Sequence, residues 1–210
     1  MTGDDYVQLC RAAGDVSRET FQRLKDFENE FRRWSTRINL AAPSTLPDLW
    51  KRHVLDSAQI LPLGRDARNW LDLGSGGGFP GAVLAILLIE RPSAHITLVE
   101  SNMKKAAFLQ TTLANLGAPA RIVAKRIEDA PALVEQPEIV TARALAPLDQ
   151  LLALGSPWLE HGARALFHKG RDYASEVAKC HDAWQFDLIE HRSAIDEDSV
   201  VLEISGLTRR

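Results

Sequence analysis

An α/β fold is predicted for this chain: a mostly parallel, seven-stranded sheet with one antiparallel strand at its edge, preceded by a helical N-terminal extension. Three observations carry the prediction. Up to about residue 65 the 210-residue sequence shows only helical periodicity. From residue 69 short apolar runs alternate with helical segments, the pattern of a parallel sheet wrapped on both faces. The last two strand-like runs follow one another with no helix between them, which closes the sheet with an antiparallel pairing. Residues 1–65 are read as the extension, packed on the core, and residues 66–210 as the α/β domain, together one structural unit.

Each element has a local reason. Ser17 can cap a helix with Glu19 in its first turn, and Phe21, Leu24, Phe27, Phe31, Trp34 and Ile38 then recur at steps of three and four. Pro47 suits a first helical turn. From there to Leu61 an inner face is expected of Leu46, Leu49, Trp50, His53, Val54, Ser57 and Leu61. Asn69–Leu73 is a strand and Pro80–Leu88 a helix. His95–Glu100 is a strand, after which Ser101 caps a helix to Leu116, ended by Gly117. Ala120–Ala124 and Glu138–Ala142 are strands, and a helix follows Pro147. Arg164–His168 is a strand, about Asp172–His181 a helix, and Gln185–His191 and Val200–Ser205 the closing strands.

Bulk properties exclude several classes. The longest apolar stretch, Ala82–Ile89, is too short to span a bilayer, and the polar, acidic start MTGDDYVQLCRAAGD lacks a signal-peptide pattern. No membrane association and a cytoplasmic location are expected. Cys10 and Cys180 are far apart and read as free thiols. The six histidines show no zinc-site spacing, so no metal is expected. Net charge is −3, but residues 21–70 hold nine Lys/Arg against six Asp/Glu and residues 172–204 two against nine. An RNA-binding surface, if present, belongs toward the N-terminal half.

The segment WLDLGSGGGFPG, residues 70–81, is the most informative, with five glycines among residues 74–81. A glycine-rich turn after a strand usually cradles phosphate. Asp72 at its mouth would repel phosphate and suit a cationic ligand. The spacing Asp72-x-Gly74-x-Gly76-x-Gly78 therefore points to S-adenosylmethionine, which carries an ammonium and a sulfonium. In a competing register Gly76, Gly78 and Gly81 match the dinucleotide fingerprint. There Gly74 and Ser75 separate strand from first glycine, where the dinucleotide turn wants its glycine at the strand end.

Ligands of open α/β sheets sit beyond the carboxyl ends of the strands. Glu100, ending the second strand, is placed to accept the hydroxyl protons of a ribose, or else is a first-turn acid favoured by the helix dipole. Ile127 and Glu128, within Lys125–Asp129, are placed to flank an adenine, or form a solvated charge run. Arg143, ending the fourth strand, could grip a carboxylate or phosphate. His168-Lys169-Gly170-Arg171 offers donors to RNA phosphate. Arg52 and His53 lie in the densest polar cluster of the extension. There His53 falls on the apolar stripe and Arg52 can pair with Asp56 across one helical turn.

These blocks together resemble a known family. Trp34…Asn39-Leu40, Arg52-His53-Val54-Leu55-Asp56-Ser57, the run Leu71–Gly81, Thr141-Ala142-Arg143-Ala144 and His168-Lys169-Gly170 are similar, in order, to the 16S ribosomal RNA guanine-N7 methyltransferases, also called the glucose-inhibited division protein B family. The resemblance implies a Rossmann-like, class I S-adenosylmethionine-dependent methyltransferase fold. It implies methyl transfer to N7 of one loop guanine, with 16S rRNA or the small ribosomal subunit as partner and a monomeric enzyme. It carries donor binding onto Gly74, Phe79, Ile127, Glu128 and Arg143; with Asp72, Gly76, Gly78 and Glu100 from the loop reading, these make up the expected cofactor site. Arg143 and Lys169 are the expected catalytic residues, and Arg52, His53, Lys169 and Arg171 the expected substrate contacts. The family often has Asp where this chain has Glu100. Three other readings stand beside this one: a methyltransferase of a small molecule or protein, a nicotinamide-dependent dehydrogenase, and a non-catalytic RNA-binding module.

Overall fold

The computed structural model describes residues 2–210. Helices α1 (Thr2–Ala13) and α2 (Arg18–Ser35) open the chain. A third helical segment, α3, is π-helical over Trp50–Leu55 and continues as one α-turn, Asp56–Ala58. The alternating part follows: β1 (Asn69–Leu73), α4 (Gly81–Leu87), β2 (His95–Val99), α5 (Met103–Asn115), β3 (Ala120–Val123), β4 (Ile139–Arg143), α6 (Leu148–Leu159), β5 (Arg164–Lys169), α7 (Tyr173–Cys180), β6 (Trp184–Arg192) and β7 (Val200–Arg209).

The strand order is β3-β2-β1-β4-β5-β7-β6. All pairings from β3 to β5 are parallel. The one reversed strand is β7, slotted between β5 and β6 at that end of the sheet. The sequence order reverses on either side of β1, so the β1 and β4 carboxyl ends flank the switch point where such folds bind ligands.

Three expectations shift. The segment after Pro47 is helical but wound as a π-helix starting at Trp50, and such π-segments often mark functional sites. Asn102, not Ser101, caps α5, its side chain accepting from the Lys104 and Lys105 amides. Helix α1 was not anticipated; Leu9, Ala12 and Ala13 give it a buried face.

The sheet separates two apolar clusters. Trp70, Ile96, Leu98 and Ile139 face one way, onto the N-terminal helices, α4 and α5. Leu71, Leu73, Val99 and Val140 face the other, onto α6 and its neighbours. The period-2 alternation of each strand produces this division. Phe27 and Phe31 of α2 pack against Phe79 of the glycine loop and Phe108 of α5, with ring centroids 5.1–6.1 Å apart. Buried aromatic pairs of this kind fix one element against another, so the extension is bound directly to the loop that forms the site. Among the described residues no helix is long and apolar enough to cross a membrane.

Candidate active site

The loop after β1 owes its shape to alternate glycines. Gly74, Gly76 and Gly78 adopt φ of +65°, +55° and +97°, a region costly for residues with a Cβ. This is the register Gly74-x-Gly76-x-Gly78; Gly77 and Gly81 are not in it. They are small for another reason. A Cβ on Gly77 would stand 2.6 Å from the Leu40 carbonyl oxygen, and one on Gly81 within 2.5 Å of Asp72 Oδ2.

Beyond this loop lies a cavity of about 570 Å³. Its walls include Gly74, Gly76, Phe79, Glu100, Ile127 and Glu128. Leu40 to Ala42 and Thr45 of the extension close one side, and Arg143 to Leu145 another. Glu100 lies at the mouth of β2. Its Oε2 accepts the Gly76 amide at 2.7 Å and its Oε1 the Asn102 amide at 2.6 Å, so this carboxylate ties the loop to the start of α5. Each oxygen keeps a further lone pair.

Two residues expected at the cofactor, Asp72 and Gly78, lie behind the loop. Asp72 does not stand at the mouth. It is fully buried beneath the loop, with Oδ1 accepting from Thr141 Oγ1 at 2.7 Å and Oδ2 without a partner. Burial pushes its carboxyl up to about 6. Gly78 faces Ala82, Leu109 and Phe27 in the core and is absent from the cavity wall. Both shape the loop from behind.

Arg143 is the hub of the second half of the site. One of its terminal nitrogens donates to Asp56 Oδ2 at 3.0 Å and to the Arg52 carbonyl at 3.1 Å, and the other to His53 Nδ1 at 2.7 Å. A guanidinium only donates, so His53 Nδ1 is the acceptor and the ring proton sits on Nε2, a buried N–H with no partner. The imidazole stacks on Phe79 at 4.9 Å. Burial, then the neighbouring Arg143 charge, lowers the His53 pKa to about 4, so the ring is neutral at pH 7. Next to Arg143, Ala144 holds a left-handed φ of +51°, backbone strain of the sort that gathers at functional sites.

The expected Arg52–Asp56 pair does not form. Asp56 turns to Arg143 and accepts from Gln59 Nε2 at 2.8 Å, while the Arg52 side chain has no ion pair among the described residues and lines a second cavity with His53. The expected donors after β5 separate. His168 is buried and donates from Nε2 to the Asp56 carbonyl at 2.9 Å. Lys169, expected as a catalytic and substrate-contact residue, bonds the Ala146 carbonyl at 3.1 Å and Glu176 at 2.5 Å and lines neither cavity. Arg171 is exposed and paired with Asp198. Sequence reasoning missed Asp56 as the anchor of Arg143. The only signal for it was its place in the polar block Arg52–Ser57.

Known proteins match this chain closely. The family model described as rRNA small subunit methyltransferase G (GidB) matches residues 20–198. The ribosomal RNA small subunit methyltransferase G of Chelativorans sp. (strain BNC1) is 58% identical over 209 residues, covering 100% of both chains. Its counterpart in Brucella canis is 57% identical over 195 residues, covering 93% of this chain and 92% of its own. Among solved structures, a putative O-methyltransferase from Klebsiella pneumoniae superposes with a TM-score of 0.60 at 11% identity, over 97% of this chain and 96% of its own. Cofactor-bound Rv0187 from MTB does so with a TM-score of 0.58 at 16% identity, over 96% and 95%. At such identities these two speak for the fold alone.

Proposed function

This chain belongs to the rRNA small subunit methyltransferase G family, and we propose that its glycine-loop cavity holds S-adenosylmethionine while a guanine of 16S rRNA presents N7 to the methyl group. The observation that carries the cavity assignment is Gly76. A Cβ there would meet nothing nearer than the Gly74 oxygen at 3.7 Å, so the backbone opens directly onto space in which a ligand can lie against it. Gly74 and Gly76 cradle the donor, Glu100 receives its ribose hydroxyls, and Ile127 and Glu128 flank its adenine. Phe79 supplies an apolar floor beneath His53 and Arg143. Asp72 acts through the loop it supports and not by contact.

When bound, S-adenosylmethionine supplies a methyl carbon that N7 attacks with its lone pair as the carbon–sulfur bond breaks, the electron pair leaving on sulfur. Guanine N7 carries no proton, so no residue has to act as general base. What remains for the protein is orientation, an effect large enough to dominate such a reaction. Arg143 suits this role, because three partners fix it between the two cavities. The aromatic stack of His53 on Phe79 stiffens the same wall.

N7 faces the deep, narrow groove of A-form RNA, which side chains cannot enter. The target guanine is therefore unpaired or splayed from a loop. Lys105, Lys125 and Arg126 on the rim of the first cavity and Arg52 on the second are the cations offered to phosphate, while exposed Arg171 is already paired with Asp198. The same reading gives 16S rRNA or the small ribosomal subunit as partner, a monomeric enzyme and a cytoplasmic setting.

Calorimetric titration with S-adenosylhomocysteine and with NAD tests the cavity. Binding of the first and none of the second is expected. NAD binding with no response to S-adenosylhomocysteine would return the loop to the dinucleotide register.

A further inference from the structure

The second cavity, about 840 Å³, opens on the far side of Arg143 and shares Arg143, Ala144 and His53 with the first. Its volume lies in the range of small-molecule sites. Its remaining walls are Asp48 just before α3, Lys51, Arg52 and Asp56 of α3, and the turn between β6 and β7, through residues 193–197 and Ser199. The turn is docked on the end of α3 through its C-cap residue, Gln59. The Gln59 Oε1 accepts the Ala194 amide at 3.0 Å, and its Nε2 donates to Ser193 Oγ at 3.0 Å and to Asp56 Oδ1 at 2.8 Å. One short chain of hydrogen bonds thus runs from the turn through Gln59 and Asp56 to Arg143.

We propose that this cavity receives the target guanine, turned out of its RNA, and that Asp48 and Glu197 read the edge of the base opposite N7. The proposal rests on the methyltransferase reading above and specifies where its substrate sits.

In guanine, N7 and O6 occupy one edge, and the donors N1–H and N2–H₂ the edge across the ring. N7 must face the wall common to both cavities, since the methyl group arrives from there. The donor edge then faces the outer wall, which must offer acceptors. Four carboxylates line the cavity. Asp56 is engaged by Arg143 and Gln59. Asp196 is engaged inside its own turn by the Asp198 amide and Ser199 Oγ. Asp48 and Glu197, both exposed at the open side of the cavity, have no side-chain hydrogen bond or ion pair among the described residues, so only water has to leave them for the base to be met. Adenine would turn an unprotonated N1 toward the same carboxylates and be repelled. Lys51 and Arg52, which also have no ion pair among the described residues, are on hand for O6 or the flanking phosphate.

Two variants test this, with unmethylated small-subunit rRNA, from cells that lack this enzyme, as substrate. Ala194→Trp places a large ring in the cavity without touching the glycine loop. Methyl transfer should fall at least a hundredfold, and calorimetric affinity for S-adenosylhomocysteine should stay within twofold, which also certifies the fold. Wild-type transfer by this variant would overturn the site. The isosteric pair Asp48→Asn with Glu197→Gln should raise KM for rRNA and lower kcat/KM by about tenfold or more, the size of one good bidentate base contact, again at unchanged affinity for S-adenosylhomocysteine. Wild-type kcat/KM in that pair would overturn the reading by carboxylates. Failure of the wild-type protein itself to methylate rRNA is a different result and would strike the parent reading.

Discussion

Replacing Asp56 with alanine isolates the contact on which the second half of the site depends. The Asp56 and Arg143 side chains are only 12% and 14% exposed and meet at 3.0 Å. Deleting one member of such a pair leaves the other charge buried and uncompensated, which typically costs about 3–5 kcal/mol. Arg143 would keep the Arg52 carbonyl and His53 Nδ1, so the lower end, about 3 kcal/mol, is the expected loss. At about 2–4 °C per kcal/mol for a chain of this size, the melting temperature should drop by about 6–12 °C. Urea denaturation followed by circular dichroism measures the free energy, and the midpoint should move without a change in slope. Because Arg143 also loses its orientation, methyl transfer should fall further than affinity for S-adenosylhomocysteine. A loss below about 1 kcal/mol, the level of an exposed ion pair, would refute the reasoning that Asp56 pins a buried guanidinium.

Three other outcomes are expected. Gly76→Val should weaken S-adenosylhomocysteine binding at least a hundredfold by calorimetry, because its side chain projects into the donor cavity, and φ of +55° adds strain of about 1–3 kcal/mol; near-normal affinity would misplace the donor. The His53 ring should titrate by NMR with a midpoint near 4. The unfolded chain takes up this proton near the ordinary histidine value of about 6.5, so His53 contributes stability at pH 7 that is lost as pH falls from there through about 4. A midpoint at or above 6 would contradict its burial beside Arg143. Lys169→Ala should cost about 1–3 kcal/mol in urea melts, by leaving the Ala146 carbonyl without its donor and Glu176 without its cation, with methyl transfer per folded molecule unchanged; a specific loss of turnover would place Lys169 in the chemistry.

The central strands were legible because each is a short, mainly apolar run bounded by breakers, and all seven strands appear within two residues of the expected start. Their faces follow from a period of two that the residues obey strictly, as Trp70 and Leu71 show by entering different clusters. The glycine register was legible too, since positive φ falls on Gly74, Gly76 and Gly78. Less visible was what lies across sequence distance. Asp72 looked like a gate because its neighbours along the chain form a loop, but in the fold it points back beneath Gly81. Asp56 had a suitable cation four residues away and chose another 87 residues on, because Arg143 ends a strand that abuts α3. Lys169 looked available for RNA until α7 brought Glu176 against it. The π-winding of α3 has no counterpart in helical periodicity, and it is the segment that carries Arg52 and His53.

Transfer of a labelled methyl group from S-adenosylmethionine to unmethylated small-subunit rRNA, followed by digestion and nucleoside mass spectrometry, tests the central claim most directly. The account predicts one methyl group per rRNA, recovered as 7-methylguanosine from an unpaired position. Label on a ribose hydroxyl or another base, or no label while S-adenosylhomocysteine still binds, would contradict it.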